Sequence, residues 1–93
     1  MELRWVETFL AIAETRSFTR AAERLHLSQP AVTRQIQALE DACGDALFAR
    51  QTRRVVLTPA GELMVNHGQR ILAAVAESTR ALGDLRRGLA GRL

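Results

Sequence analysis

The stretch Phe18-Thr19-Arg20-Ala21-Ala22-Glu23-Arg24-Leu25-His26-Leu27-Ser28-Gln29-Pro30-Ala31-Val32-Thr33-Arg34-Gln35-Ile36-Gln37-Ala38-Leu39-Glu40 contains two helix starts separated by a tight turn. Ser17, just ahead of it, is a candidate N-cap for a short helix over 18–25 built around the small pair Ala21-Ala22. Small residues at that point let a second helix come close. His26-Leu27-Ser28 reads as a three-residue turn, and Ser28 can cap a third helix. Pro30 suits that helix's first turn, where the amide that proline lacks would have no intrahelical partner. The apolar spacing carries the helix from Gln29 to Ala42, and Gly44 supplies a left-handed stop. A short helix, a tight turn and a longer helix are the outline of a helix-turn-helix unit.

Upstream, Leu3 to Thr15 carries apolar residues at 3, 6, 10 and 13 and again at 5, 9 and 12, two adjacent stripes on a 3.6-residue period. One helix with a wide apolar face is predicted, with Trp5, Phe9 and Ile12 packing against another long element. Downstream, Leu47 to Arg50 and Val55 to Leu57 are short strand-forming runs joined by Gln51-Thr52-Arg53-Arg54, a loop of hairpin length. Thr58-Pro59 is a helix start with Glu62 near its positive end. That helix is expected to reach about Arg87, weakened by up to ~1 kcal/mol at each of Gly61, Gly68 and Gly83. Roughly 29 residues make a rod of ~43 Å, longer than a small domain uses internally. Along it Ile71, Val75, Ser78, Leu82, Leu85 and Leu89 follow a heptad spacing. These residues suit either the first helix of the same chain or a second copy, and a long helix has sides enough for both.

The chain has 93 residues, 47% hydrophobic, 25% charged and 4% aromatic, which bounds it to one small folded domain, or one with an appendage. All 13 of its basic residues are arginine, against 10 acidic ones, for a net charge of +3. Arginine forks onto phosphate and guanine where lysine offers a point charge, although a GC-rich coding bias produces the same composition. No apolar run approaches the ~18 residues of a membrane span. Residues 1–15 lack the pattern of a secretory signal, so the cytoplasm is the expected compartment. The single cysteine, Cys43, cannot staple the fold and reads as a buried space-filler with no redox role.

On a helical wheel, Ala31, Val32, Gln35, Ile36 and Leu39 share one side of the third helix. Pro30, Thr33, Arg34 and Gln37 lie opposite, with Gln29 at the tip. Arginine for guanine, glutamine for adenine and threonine for phosphate or a thymine methyl are the side chains that read bases. An ordinary solvated face carries more Lys, Glu and Asp than this one. Charge is partitioned along the chain as well: residues 16–39 carry +3, residues 50–58 another +3, and residues 40–49 carry −3. Positive charge therefore gathers in the helix-turn-helix unit and in the hairpin loop, where it can meet phosphates beside a groove. Arg53 and Arg54 near the loop tip suit a narrow minor groove.

The run from Phe18 to Glu40 closely resembles the N-terminal signature of LysR-type transcriptional regulators, as do Leu47-Phe48-Ala49-Arg50 and Leu57-Thr58-Pro59-Ala60-Gly61 at the same spacings. The resemblance spans essentially the whole chain. It implies a mainly α fold, a winged helix-turn-helix of three helices plus a two-stranded wing over 1–58, followed over 59–93 by a long linker helix that pairs with its counterpart in a homodimer. It implies base contacts from Gln29, Pro30, Thr33 and Arg34 in recognition helix 29–42, and a minor-groove contact from Arg53 in wing 51–54. Thr19, Arg20, Arg50 and Arg54 are then expected on phosphates, and Ile71, Val75, Leu82 and Leu85 at the dimer interface. Double-stranded DNA with an inverted-repeat site is the implied partner. Cys43 stands where the family usually has leucine. Family members continue into a ligand-sensing, effector-binding domain, which is expected to lie outside this chain.

No enzymatic activity, cofactor or metal site is expected. His26 and His67 are isolated, and no nucleophile motif or phosphate-cradling glycine loop occurs. The competing reading is a winged-helix protein-interaction module that does not bind specific DNA. RNA binding is disfavoured because Trp5 and the three Phe fall on apolar faces rather than exposed stacking positions.

Overall fold

The computed structural model describes residues 1–50 and 53–91, with side chains through residue 88. Four helices are present among the described residues: α1 (Leu3–Thr15), α2 (Phe18–Leu25), α3 (Gln29–Cys43) and α4 (Pro59–Gly91). The expected caps form. Ser17 Oγ accepts from the Arg20 amide at 3.0 Å, Ser28 Oγ from the Ala31 amide at 3.2 Å, and Thr58 Oγ1 from the Gly61 amide at 3.0 Å. Left-handed residues close the first three helices: Arg16 (φ 58°), His26 (φ 57°) and Gly44 (φ 75°). α3 runs one residue beyond the expected Ala42, and α4 passes Arg87 to reach Gly91, because neither segment contains a breaker strong enough to stop it sooner.

One core unites the four helices and the segment after α3. Val6, Phe9 and Ile12 of α1, Ala21 and Ala22 of α2, Val32, Ile36 and Leu39 of α3, Leu47, Phe48 and Met64 are all buried. Phe48 stacks obliquely between Phe9 and Phe18, with ring centroids 5.2 and 5.7 Å away. Thr8, the buried polar residue of α1, donates its hydroxyl to Gln35 Oε1, which accounts for the one polar side chain on the apolar side of α3.

Two expectations need correction, and the seat of the long helix can be given. α4 crosses α1 at Gly68, where an added Cβ would stand 3.1 Å from Val6 and 3.5 Å from Leu10, both on the stripe of 3, 6, 10 and 13, while Phe9 turns to Phe48. The hairpin is shorter than two strands. Its runs meet in one antiparallel bridge, Phe48 with Leu57, flanked by the bonds Ala49 N–H to Val56 O (2.8 Å) and Thr58 N–H to Leu47 O (3.0 Å). The ladder stops there because its next bond would join the Leu47 amide to the Thr58 carbonyl, and the first is taken by the Glu40 carboxylate and the second by the Glu62 amide at the start of α4. Residues 51 and 52 of the wing 51–54 lie outside the described residues. Finally, Cys43 is exposed, not buried. It continues the 32, 36, 39 stripe, but at the last turn of α3, where nothing covers it. Partial desolvation pushes its thiol pKa up and Asp45 and Glu40 add to the rise, against the pull of the N-terminal ammonium.

α4 gives the molecule its shape, 61 × 25 × 19 Å. Its first turns bury Met64 and half-bury Val65, Ile71 and Leu72 against the core. Beyond them Val75, Leu82 and Leu85 stand 39, 61 and 59% exposed. The heptad residues therefore divide: Ile71 leans on its own chain, the next four are exposed, and the Leu89 side chain lies outside the described residues. Among the described residues no helix is long and apolar enough to cross a membrane.

Candidate nucleic-acid interface

Ser28 sets where α3 begins, and the apolar period sets which side of it faces out. With Val32, Ile36 and Leu39 buried, Gln29, Pro30, Thr33, Arg34 and Gln37 are all exposed, the partition that a 100° step per residue dictates. Thr19 and Arg20, in the first turn of α2, are exposed beside them. A hydrogen bond joins the two helix starts: Gln29 Nε2 donates to Thr19 Oγ1 at 2.7 Å. Thus a residue expected on phosphate and a residue expected on a base are in direct contact, which no sequence spacing announces.

The wing lies on the other side of α3. Between them runs a cleft of about 290 Å³ whose walls include Thr33 and Gln37 from α3 and Arg50, Arg53 and Arg54 from the wing, with Phe18 and Phe48 at its base. Arg53 and Arg54 are exposed. The arginines of this surface fall into two groups. Arg24 pairs with Glu14 at 3.3 Å, Arg50 pairs with Glu40 at 3.4 Å, and Arg16 donates to the Val55 carbonyl at 3.3 Å. Among the described residues, Arg20, Arg34 and Arg53 make no side-chain ion pair or hydrogen bond, so their charge and donors are available to a ligand. Of the expected phosphate-binding residues, Arg50 is tied by the Glu40 carboxylate.

Sequence reasoning passed over Glu40, counting it with the acidic segment 40–49. Its carboxylate is turned inward, with the side chain 11% exposed. One oxygen accepts the Leu47 amide at 2.8 Å and the Phe48 amide at 3.4 Å, while the other meets Arg50. Glu40 therefore fastens the end of α3 to the root of the wing and fixes their separation. Arg16 does the same from α1. The contacts lie ten and 39 residues apart in sequence, so only the folded chain reveals them. Glu40→Ala is expected to destabilise the protein by about 1–3 kcal/mol by stranding the buried Leu47 amide. Glu40→Gln, which keeps an acceptor, should lose less than half of that in urea denaturation. Equal losses for the two variants would show that the amide bonds carry none of the stability. Among the described residues no three metal-ligating side chains converge.

Comparison with known proteins adds four findings. The model of the bacterial regulatory helix-turn-helix proteins of the lysR family matches residues 3–62. The HTH-type transcriptional regulator TfdT of Cupriavidus pinatubonensis (strain JMP 134 / LMG 1197) is 45% identical over 93 residues, covering 100% of this chain and 41% of TfdT, so the chain spans well under half the length of that relative. Among solved structures, BenM_DBD in its complex with benA site 1 DNA superposes with a TM-score of 0.87 at 36% identity, covering 91% of this chain and 96% of that one. The CbnR_DBD–DNA complex gives a TM-score of 0.82 at 42% identity, covering 97% and 99%.

Proposed function

The chain belongs to the lysR family of bacterial regulatory helix-turn-helix proteins, and from that membership together with the exposed face of α3 we propose that it binds double-stranded DNA of defined sequence as the DNA-reading part of a transcriptional regulator. Residues 1–58 form the reading unit. α3 enters the major groove, where Gln29, Pro30, Thr33 and Arg34 meet base edges. Arg53 on the wing reaches the flanking minor groove, and Thr19, Arg20, Arg50 and Arg54 hold phosphates on either side. Residues 59–93 pair two copies along α4 through Val75, Leu82 and Leu85, with Ile71 at the edge of that seam. A two-fold pair of readers takes an inverted-repeat site with half-sites one helical turn apart or a multiple of it. The cytoplasm is the compartment of such a protein.

The single observation that supports this reading most is the set of unpaired, exposed donors on one surface: Arg34 on α3, Arg20 at the start of α2 and Arg53 on the wing. The salt dependence of binding tests it. Affinity for duplex DNA should fall steeply with added salt, and Arg53→Ala should reduce the slope of log K against log salt by about 0.9, one phosphate's worth of released counterions, if Arg53 acts through charge. A loss concentrated at sites with A·T-rich flanks would place Arg53 in a narrow minor groove, whereas equal loss on every flank would reduce its role to phosphate attraction. No binding to any duplex at low salt would favour the protein-interaction module instead.

A further inference from the structure

We infer that Thr19 sets the amide orientation of Gln29, so that Gln29 offers its carbonyl oxygen to the DNA and selects an amino base, adenine or cytosine, over a keto base. The inference rests on the reading of Gln29 as a base contact and deepens it.

The two ends of a glutamine amide have opposite character: Oε1 accepts and Nε2 donates. Which end faces a groove decides which base it can meet. In the major groove adenine and cytosine expose amino donors, N6 and N4, whereas guanine and thymine expose keto acceptors, O6 and O4. A freely turning Gln29 would serve either class. In the structure Nε2 donates to Thr19 Oγ1 at 2.7 Å, so the amide stands with its nitrogen toward Thr19. Both side chains stand at exposed helix starts, Gln29 at the first position of α3 and Thr19 in the first turn of α2.

A hydroxyl has one hydrogen and can give it once. In free protein the Thr19 hydrogen could turn toward either end of the amide. Once that hydrogen is given to a phosphate oxygen, Oγ1 can only accept, and the amide must present nitrogen to it. Oε1 then faces the base with the second Nε2 hydrogen beside it, the acceptor-and-donor edge that fits adenine N6 and N7 and whose oxygen repels a keto group. A sequence-blind backbone contact thereby fixes the direction of a sequence-reading one. Three groups act in series: phosphate on the Thr19 hydroxyl, Thr19 Oγ1 on Gln29 Nε2, and Gln29 Oε1 on the amino group of a base. Thr19 is a positioning residue in this scheme, not a reader.

The test measures base preference as a ratio, which separates orientation from simple affinity. Duplexes chosen from a random library by the 93-residue chain are varied through all four bases at each position, and binding is titrated for the wild type, Thr19→Ser, Thr19→Val and Gln29→Ala. The position that Gln29→Ala flattens is the one Gln29 reads. There the wild type should favour amino over keto bases by about tenfold, within the discrimination of a good base contact. Thr19→Ser keeps the hydroxyl and should keep the ratio. Thr19→Val keeps the shape without it and should bring the ratio below about threefold, whatever it does to overall affinity. A Thr19→Val protein that retains the full ratio while Gln29→Ala abolishes it would overturn the inference and leave the base contact standing. If Gln29→Ala flattens no position, the base-reading role of Gln29 fails and the inference fails with it. A preference for keto bases at the Gln29 position would overturn it as well.

Discussion

Gly61→Ala is expected to destabilise the protein by about 3 kcal/mol or more, the upper end of the range for overpacking a rigid site. In a domain of this size that corresponds to a fall of more than about 12 °C in Tm. Gly61 sits in the first turn of α4, and an added Cβ would stand 2.0 Å from the Leu47 carbonyl oxygen. That oxygen is backbone and cannot swing aside as a side-chain tip could. It is also engaged, accepting from the Thr58 amide at 3.0 Å, so displacing it breaks the bond that seals the foot of the wing. Two other glycines of the same helix calibrate the effect. Gly68→Ala would bring Cβ to 3.1 Å from a Val6 methyl, a contact that small shifts relieve, and its gain in helix propensity should leave it near the wild type. Gly88→Ala meets nothing within 4 Å and should stabilise the chain by about 0.5–1 kcal/mol. Thermal denaturation should thus rank the variants 88, 68, 61 from most to least stable. A Gly61→Ala protein within about 1 kcal/mol of the wild type would mean that α4 does not start against the Leu47 carbonyl.

Arg34→Ala carries the largest expected effect on binding. On a selected duplex the loss should be about 1–3 kcal/mol, about fivefold to more than a hundredfold in affinity, with preference relaxed at one position, the signature of a guanidinium that forks onto guanine. Affinity for random duplex should fall far less, by the share of one charge. Arg34 is exposed on α3 with no carboxylate to compete for it among the described residues, so its side chain reaches DNA without first breaking an ion pair. Arg34→Lys keeps the charge and loses the fork, and should restore the nonspecific term but not the preference. Unchanged affinity and unchanged site preference for Arg34→Ala in a gel-shift titration would remove α3 from its place as the reading helix.

What could be read from the sequence follows the range of the forces involved. Helix positions are set by caps and by apolar period, both local, and Ser17, Ser28, Gly44 and Thr58-Pro59 mark the boundaries to within one residue for the first three helices and at the start of the fourth. The exposed side of α3 follows from the same period. Contacts between distant segments are a different matter. Nothing near Glu40 in the chain says that its carboxylate turns from solvent to the Leu47 and Phe48 amides, and that turn is why the predicted strands shrink to one bridge. Gly61 reads in sequence as a weak point in a helix; packed against Leu47 it is the residue that permits the helix to begin where it does. Cys43 shows the converse error, since a stripe extrapolated along α3 outruns the neighbours that would bury its last member.

Thr58 holds α4 to the body of the protein by bonds in several directions: its hydroxyl donates to the Ala46 carbonyl at 2.6 Å and accepts from Gly61, and its amide donates to Leu47. Mechanically this is a clamp at the root of a cantilever. The arm that stands clear of the core begins past Leu72 and is about 28 Å long, so a tilt of about 8° at its root displaces the tip by roughly 4 Å. That exceeds the ~3.4 Å step between neighbouring base pairs. In the paired form proposed above, the bonds around Thr58 together with the seat of Met64, Gly68 and Leu72 on the core set the angular tolerance of the arm, and with it how far apart two half-sites can lie before one reader loses its register.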